Sequence, residues 1–416
     1  MARSSAFRIR LLLLNQFTVK LGFNLLMPYL AGHLTEGLGY AAWAVGLVLS
    51  VRNVSQRGMC LTGGRLADRL GCKRAIVAGC GLRTAGFALL GVAGTLPMLV
   101  IASAMTGFAG ALFDPGVRAY LAVESGEDRV RAFGRFNVAG QLGLLLGPPA
   151  GLCLAHLNFQ VVSAVAAGLF AVLTLVQAVA LPAQQAGDRE PAGPLSDIVG
   201  NRRLWTFALI MTTPYLLAFQ VYLALPLVMR DVLGAEQDIG MGELFAVSAL
   251  VVLAGQSRLT GWAGRRWSHA QSLARGLAVS GAAFLPLALV GAPAIPPGWP
   301  EELAEHIAII PILTTALLLS VGSMLICPFE MDVIVDLAED RLVASHYGLY
   351  ATVSGVGVTV GGLLTGWLWD FSAAHDMPRL PWLVLVLLGC LGAAGLAAFA
   401  APRAGKHRLN RPLSGR

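Results

Sequence analysis

Residues 64–74 read Gly-Arg-Leu-Ala-Asp-Arg-Leu-Gly-Cys-Lys-Arg, and a long apolar run lies on each side of them. Each run is long enough to cross a membrane as a helix. The two glycines of the stretch, Gly64 and Gly71, permit a tight turn and a close approach of helices. The charges of the stretch place it outside the hydrocarbon, so it is predicted to be a short turn at the membrane surface.

The composition excludes a soluble protein. Of the 416 residues, 56% are hydrophobic and 13% are charged, whereas soluble domains carry about 25% charged residues. The net charge of +7 does not indicate nucleic-acid binding, because the basic residues lie in short loops and at both termini. The chain contains no Gly-x-x-x-x-Gly-Lys-Ser/Thr loop, which excludes direct drive by ATP. The six cysteines are interpreted as packing residues, and the seven histidines lack metal-ligand spacing, so we expect no metal and no cofactor.

A helix needs roughly 20 apolar residues to cross the hydrocarbon core. Twelve runs meet this length: 9–31, 42–64, 75–94, 97–117, 134–157, 160–181, 204–229, 242–262, 272–291, 307–328, 348–370 and 382–401. Since backbone groups in lipid must bond within their own segment, these runs are predicted to be helices. The predicted fold is an all-α membrane protein of twelve transmembrane helices in two pseudo-symmetric six-helix bundles.

A polar, proline-bearing break divides the chain into two halves. It is predicted to be a cytoplasmic linker at 182–203, between an N-terminal bundle at 1–181 and a C-terminal bundle at 204–401. Residues 402–416 form a basic tail. Gly143-x-x-x-Gly147 recurs as Gly357-x-x-x-Gly361, which supports a repeat. Parallel half-repeats of this kind place a binding site near the membrane midplane.

The basic residues of the loops predict the orientation. One set of loops, which contains residues 64–74 and the linker, carries most of the arginines, and the opposite set carries only Arg230 and Arg379. Positively charged loops are retained in the cytoplasm. Both termini are therefore expected to be cytoplasmic.

Charges within the predicted spans indicate a polar cavity. Lys20 and Arg52 lie near the middle of the first and second spans, where a basic side chain costs about 2.5–3.5 kcal/mol on insertion scales. Such groups are expected to face a cavity, and their charge favours anionic or zwitterionic substrates. For Arg57 and Arg83 the alternative is that they extend toward the cytoplasm. The predicted cavity residues are Lys20, Asn24, Arg52, Gln56, Gln141 and Gln220. The acids Glu36, Glu243, Glu330 and Asp370 all fall near predicted helix ends.

The stretch at 64–74 resembles the loop between the second and third spans of the major facilitator superfamily, with Cys72 in place of the usual arginine. The resemblance implies that Asp68 binds the first amides of the eleventh span, near Tyr347, and closes the cytoplasmic side. Arg69 is also expected to pair with Asp114, at the cytoplasmic end of the fourth predicted span, and Arg118 lies one helical turn further on. The alternative is that Asp114 and Arg118 form only a surface pair. The predicted gating residues are Gly64, Asp68, Arg69, Gly71, Lys73, Asp114 and Arg118.

The motif Gly143-x-x-x-Gly147-Pro148-x-x-Gly151 resembles the fifth-span signature of drug/proton antiporters. Glycines four residues apart allow close helix packing, and proline bends a helix, so the motif is expected to form a hinge and a seam between the halves. The alternative is a generic small-residue packing face. Residues 112–118 and 41–46, together with Arg52, resemble the MdtH-like multidrug efflux branch.

The resemblance implies proton-coupled export of amphipathic small molecules, including antibiotics, by a monomer in the bacterial inner membrane. The arginine that such antiporters often carry in the fourth span is absent here. The titrating candidates are therefore Glu36, Glu243, Asp114 and Lys20. Two transport alternatives stay open: a dedicated exporter of one anionic metabolite or siderophore, and an importer of an organic anion. A receptor or a membrane-embedded enzyme is disfavoured, because no catalytic constellation is present.

Overall fold

The computed structural model describes residues 2–155, 158–182, 195–233, 237–290, 301–339 and 341–400. Within these ranges the regular structure is entirely helical. The helices are α1 (Ala2–Gly32), α2 (Ala42–Gly58), α3 (Cys60–Leu70), α4 (Cys72–Val92), α5 (Leu96–Ser125), α6 (Arg129–Ala155), α7 (Phe159–Ala180), α8 (Leu195–Val199), α9 (Arg202–Ile210), α10 (Thr212–Phe219), α11 (Ala224–Leu233), α12 (Gln237–Arg266), α13 (His269–Ala282), α14 (Leu285–Val290), α15 (Glu301–Leu337), α16 (Val343–Ala374) and α17 (Leu380–Ala400).

The predicted all-α membrane class is confirmed. Nine stretches of the described residues are long and apolar enough to cross a membrane, and one of them, Leu96–Leu154, contains both α5 and α6. The predicted runs 9–31 and 42–64 are helical but are not among the nine. Polar side chains lower the hydropathy of α1, and a break at Met59 leaves α2 with 17 residues.

The charged stretch at 64–74 is not the turn that the sequence predicted. Most of it is helix, because α3 continues to Leu70 and α4 begins at Cys72. The connection is the single residue Gly71, whose φ of 91° lies in the region that favours glycine. Two other predicted spans are also interrupted: 204–229 is divided into α9, α10 and α11, and 272–291 is divided into α13 and α14.

The first of two compact units comprises residues 1–205 together with 334–352. In it α1 packs on α6 and α7, α4 packs on α5 and α7, and α2 and α3 both pack on α5. Its largest fully buried side chains are Tyr120, Phe87, Phe113, Phe133, Phe170, Tyr347 and Tyr350. The start of α16 therefore belongs to this unit.

The second unit comprises residues 206–333 together with 353–416. In it α13 packs on α17, α10 packs on α13 and α17, and α11 packs on α12. Phe207, Phe284 and Phe329 are buried in its core. The division of the chain at 182–203 stays a prediction. Residues 183–194 and the tail at 402–416 lie outside the described residues.

Candidate functional site: an acid clasp and a cationic face

The carboxylate of Asp68, near the end of α3, binds the first amides of α16. Oδ1 accepts a hydrogen bond from Ala344 N at 3.3 Å, and Oδ2 accepts one from Ser345 N at 2.7 Å. The first amides of a helix have no partner within the helix and favour a negative charge. Burial raises the pKa of the Asp68 carboxyl above its ordinary value, and the hydrogen bonds from Ser345 and Ala344 offset part of that rise. We call this contact the acid clasp.

Glycines allow α3 and α16 to touch at the backbone. A Cβ on Gly64 would overlap the carbonyl group of Ala344, and a Cβ on Gly348 would overlap the carbonyl oxygen of Cys60. Any other residue at either position would therefore push the two helices apart. This close approach brings Asp68 within reach of the α16 amides.

The hydroxyl of a threonine on α16 forms hydrogen bonds at the break between α2 and α3. The hydroxyl of Thr352 accepts a hydrogen bond from Leu61 N at 3.2 Å and donates one to Arg57 O at 3.1 Å. Leu61 and Arg57 are the two residues that an unbroken helix would bond directly. The hydroxyl is therefore inserted into the helix ladder, which is a recognised cause of a kink.

We expect Thr352→Val to weaken this crossing. The valine leaves the Leu61 amide without its partner, at a cost of about 1–3 kcal/mol, whereas the Arg57 carbonyl still accepts a hydrogen bond from Met59 N. The measurement is the midpoint of thermal unfolding of the purified protein in detergent. Thr359→Val is the matched control, because Thr359 lies on the same helix and its hydroxyl bonds only its own backbone, at Gly355 O. Equal midpoints for the two variants would contradict this account of the crossing.

The predicted pairing of Arg69 with Asp114 is not present. Arg69 is exposed, and the ion pairs within the described ranges do not include one between these two residues. The charge of Asp114 acts instead on Lys20 and Arg83. Asp114 lies on α5 within a long buried segment, so its neighbours are the cations of the helical interior. Of the other predicted gating residues, Gly71 connects α3 to α4, Lys73 lies on α4 and Arg118 lies on α5. Arg118 has interaction partners of its own.

Lys20 of α1 is exposed and lies among the charges of other helices. Its ammonium group interacts electrostatically with Asp114, Arg118, Arg83 and Arg57, which come from α2, α4 and α5. A side chain directed at lipid would not be near charges on three other helices. Among the residues that the structure describes, Lys20 forms no ion pair. Lys20 therefore faces the charged interior that α2, α4 and α5 form with α1.

Arg52 of α2 extends this polar interior. Its guanidinium carbon lies 4.3 Å from the ring centroid of Phe23 on α1. Nη1 donates to Asn53 Oδ1 and Nη2 donates to Gln56 Oε1, each at 3.1 Å. Its buried Nε has no hydrogen-bond partner. The contacts of Arg52 are thus neutral, and they fix the guanidinium without cancelling its charge.

Arg83 of α4 is a third interior cation. It is only 4% exposed, and its guanidinium lies over the rings of Phe113 and Phe170, at 6.0 and 5.3 Å from their centroids. The alternative that Arg83 extends toward the cytoplasm is therefore wrong. Such contacts stabilise a cation by about 0.5–2 kcal/mol. Lys20, Arg52 and Arg83 define what we call the cationic face.

Comparison with known proteins identifies the family. The sequence model of the Major Facilitator Superfamily matches residues 12–361. The chain belongs to the Major Facilitator Superfamily. It is therefore a multi-pass membrane transporter and not an enzyme.

The relatives of this transporter include an uncharacterized MFS-type transporter of Mycobacterium tuberculosis (strain ATCC 25618 / H37Rv). It is 47% identical over 391 residues, which cover 93% of this chain and 92% of the relative. The multidrug resistance protein MdtH of Salmonella newport (strain SL254) is 30% identical over 382 residues, which cover 91% of this chain and 90% of that protein. The crystal structure of the human organic anion transporter MFSD10 (TETRAN) matches with a TM-score of 0.68 at 16% identity, over 93% of this chain and 98% of that one. At this identity the match shows the fold alone.

The other predicted cavity residues of the transporter occupy different environments. Asn24, Gln56 and Gln141 are half-buried, and the Asn24 amide donates to Lys20 O at 2.7 Å. Gln220, just after α10, is fully buried, and its Nε2 donates to Leu216 O of α10 at 3.0 Å. The prediction for Gln220 therefore does not hold in this conformation, because a residue without exposed surface does not line an open cavity.

The glycine motif of α6 packs on α1, within the first unit. A Cβ on Gly143 would lie 2.7 Å from the Cβ of Lys20, and one on Gly147 would lie 2.6 Å from the Cβ of Asn24. Gly151 contacts Leu25 O and the ring of Tyr29 in the same way, and the hydroxyl of Tyr29 donates to Pro148 O at 2.6 Å. These glycines therefore form a close contact between α6 and α1, not the predicted seam between the halves of the transporter. The contact positions α1, the helix that carries Lys20.

The predicted titrating groups of the transporter are dispersed, and two buried acids were missed. Glu36 is exposed in the helical turn His33–Gly37 that follows α1, and the side chain of Glu243 lies outside the described residues. Glu330 and Asp332 of α15 are only 2% and 7% exposed. The predicted tenth span ended at residue 328, so both acids fell beyond it. The signal that would have found them is the apolar run Val333–Val335, which continues the helix past both acids.

Proposed function

We propose that this transporter exports amphipathic small molecules that carry an anionic group, either alone or as a zwitterion, in exchange for protons. The observation that carries the proposal is the cationic face. Lys20 and Arg52 make no ion pair within the described part of the chain, although both lie near the middle of spans that the sequence predicts. A permanent cation in that position is expensive unless it borders water or a charged ligand.

The balance of charge supports selection for an anion. Within the described part of the chain, Asp114 is the acid that acts on Lys20 and Arg83, and the charges that act on Arg52 are the cations Arg83 and Arg57. The excess is positive, so the face attracts a carboxylate, sulfonate or phosphate and repels a cation. At an effective dielectric constant of about 20, one pair of unit charges 4 Å apart interacts by roughly 4 kcal/mol before desolvation. The phenyl ring of Phe23 beside Arg52 supplies apolar surface for the rest of an amphipathic molecule.

The direction of transport is proposed from the relatives. Similarity to the multidrug resistance protein MdtH along most of the chain supports efflux. In this proposal the protein acts as a monomer in a bacterial inner membrane, with both termini in the cytoplasm and with protons as the coupling ion. The acid clasp closes the cytoplasmic side while the opposite side is open, as in alternating access.

The experiment is transport by the purified protein in proteoliposomes with an acidic lumen, so that protons leave as the substrate enters. The probes are a diamino rhodamine with a free carboxylate (the acid dye) and the methyl ester of the same molecule (the ester dye). We expect accumulation of the acid dye above that of protein-free liposomes, and loss of the accumulation when the pH gradient is collapsed. Accumulation without a pH gradient contradicts proton coupling. Preference for the ester dye, or transport of neither dye, contradicts the proposed substrate class.

A further inference from the structure

Two buried acids of α15 hold this helix to its neighbours in the second unit. The hydroxyl of Tyr215, on α10, donates to Glu330 Oε1 at 2.6 Å. On another side of α15, Asp332 Oδ2 lies 3.3 Å from His269 Nδ1 of α13. A buried carboxylate at membrane depth is costly to keep ionised, and such residues mark ion or proton pathways. Neither acid has a role in the cationic face or in the acid clasp.

The two acids differ in the chemistry of the contact. His269 becomes positive on protonation. A proton in the Asp332–His269 pair can therefore be shared between the carboxylate and the imidazole. Tyr215 is a neutral donor at ordinary pH. A hydrogen bond from a hydroxyl to an ionised carboxylate is roughly twice as strong as one to a neutral acid. The strength of the Tyr215–Glu330 contact therefore depends on whether Glu330 carries a proton.

Tyr215 lies on a short helix, and a break in the helical backbone delimits it at each end. The segment α10 contains only the eight residues Thr212–Phe219. It is separated from α9 at Met211, and from α11 by the turn at 220–223. Breaks of this kind provide hinges at both ends of the segment.

Glycines line the faces on which α10 packs. On α16, a Cβ at Gly357 would overlap Thr212, and one at Gly361 would lie 2.6 Å from Leu216. On α17, a Cβ at Gly392 would lie 3.1 Å from Thr213. Small residues let the backbones of neighbouring helices approach closely. The hydrogen bond from Tyr215 to Glu330 adds a polar contact between α10 and α15 to this close packing.

We propose that Glu330 is the site that takes up and releases the coupling proton, and that Tyr215 transmits its charge state to α10. The carboxylate gains one proton to become a carboxylic acid and later returns it, and no other covalent bond changes. When Glu330 is neutral, the bond from Tyr215 weakens and α15 holds α10 less tightly. The titratable groups near this site include Tyr215 on α10, Asp332 on α15 and His269 on α13. The inference rests on the proton coupling proposed above.

The test compares two modes of transport of the acid dye by Glu330→Gln in proteoliposomes. Uphill accumulation driven by a pH gradient requires release of a proton, whereas exchange of internal for external dye at equal pH does not. A glutamine imitates the protonated acid permanently. We therefore expect the variant to lose uphill accumulation, down to the level of protein-free liposomes, and to retain exchange. Asp332→Asn is the matched control, and it is expected to retain uphill accumulation.

The possible results separate this inference from the proposed function. If the native protein shows no gradient-dependent accumulation, the proposed proton coupling fails. If the native protein is coupled and Glu330→Gln is coupled as well, or if Asp332→Asn alone loses coupling, the role of Glu330 is overturned. Should Glu330→Gln fail to fold, Tyr215→Phe supplies the test, because it keeps the carboxyl group. Loss of the phenol removes a donor that stabilises the ionised form, so the pH profile of uphill transport is expected to move to higher pH. An unmoved profile would overturn the inference.

Discussion

Lys20→Met and Arg52→Gln are expected to reduce the affinity for the acid dye by about tenfold to a hundredfold each, since a hydrogen bond to a charged group contributes about 1.5–3 kcal/mol. Both substitutions keep an unbranched aliphatic stem and remove one positive charge. The ester dye lacks the carboxylate that these cations bind, so its affinity is expected to change little or to increase. The measurement is the concentration dependence of initial transport rates for both dyes in proteoliposomes.

The control for these variants is Arg131→Gln. Arg131 has a side chain that is 56% exposed and lies 3.4 Å from Asp128, far along the chain from the cationic face. Its removal lowers the net charge of the protein by the same amount. If Arg131→Gln has the same effect as Arg52→Gln, the selectivity arises from the overall charge. If Lys20→Met and Arg52→Gln weaken both dyes equally, these residues support the fold and do not select the substrate.

Asp68→Asn is expected to have the second large effect, through loss of the acid clasp. Asp68 accepts one hydrogen bond at each carboxylate oxygen, from Ser345 N and Ala344 N. Asparagine offers one acceptor and turns its amide group toward a second N–H donor. The loss of one charge-assisted bond and the mismatch at the other position cost roughly 1.5–3 kcal/mol. The clasped state therefore becomes about tenfold to a hundredfold less populated, and transport turnover falls.

A native cysteine reports this change directly. Cys60 is 4% exposed and lies where α3 crosses Gly348 of α16. We expect Asp68→Asn to increase alkylation of Cys60, measured by peptide-resolved mass spectrometry. The control is Asp128→Asn, which neutralises an acid in the turn before α6 whose side chain is 75% exposed. Unchanged turnover and unchanged Cys60 labelling in Asp68→Asn would remove the clasp from the mechanism.

The sequence was informative where a rule has few exceptions. Charges in an apolar segment are costly, and this cost alone drew attention to Lys20 and Arg52, both of which lie in the polar interior of the first unit. The resemblance of residues 64–74 to a family loop led to the contact between Asp68 and the start of α16. That contact joins residues 276 and 277 positions apart, a separation that no local pattern encodes.

The sequence was uninformative where tertiary contacts override local pattern. The apolar run at 42–64 predicts one helix, but the hydroxyl of Thr352 occupies the helix ladder between Arg57 and Leu61 and divides it. The position of Arg83 in the sequence allowed the interpretation that its side chain extends toward the cytoplasm. In the structure its guanidinium lies over two aromatic rings, one on α5 and one on α7. The position of Glu330 near a predicted helix end concealed a buried acid, because α15 continues to Leu337.

The most direct test of the central claim is the equilibrium binding of the two dyes to the purified native protein in detergent, followed by fluorescence anisotropy. The dyes share one ring system and differ only in whether the carboxylate is free or esterified. The account predicts tighter binding of the acid dye, and a difference that disappears in the Lys20→Met, Arg52→Gln double variant. Equal or tighter binding of the ester dye by the native protein would contradict the claim that the cationic face selects its substrates by their negative charge.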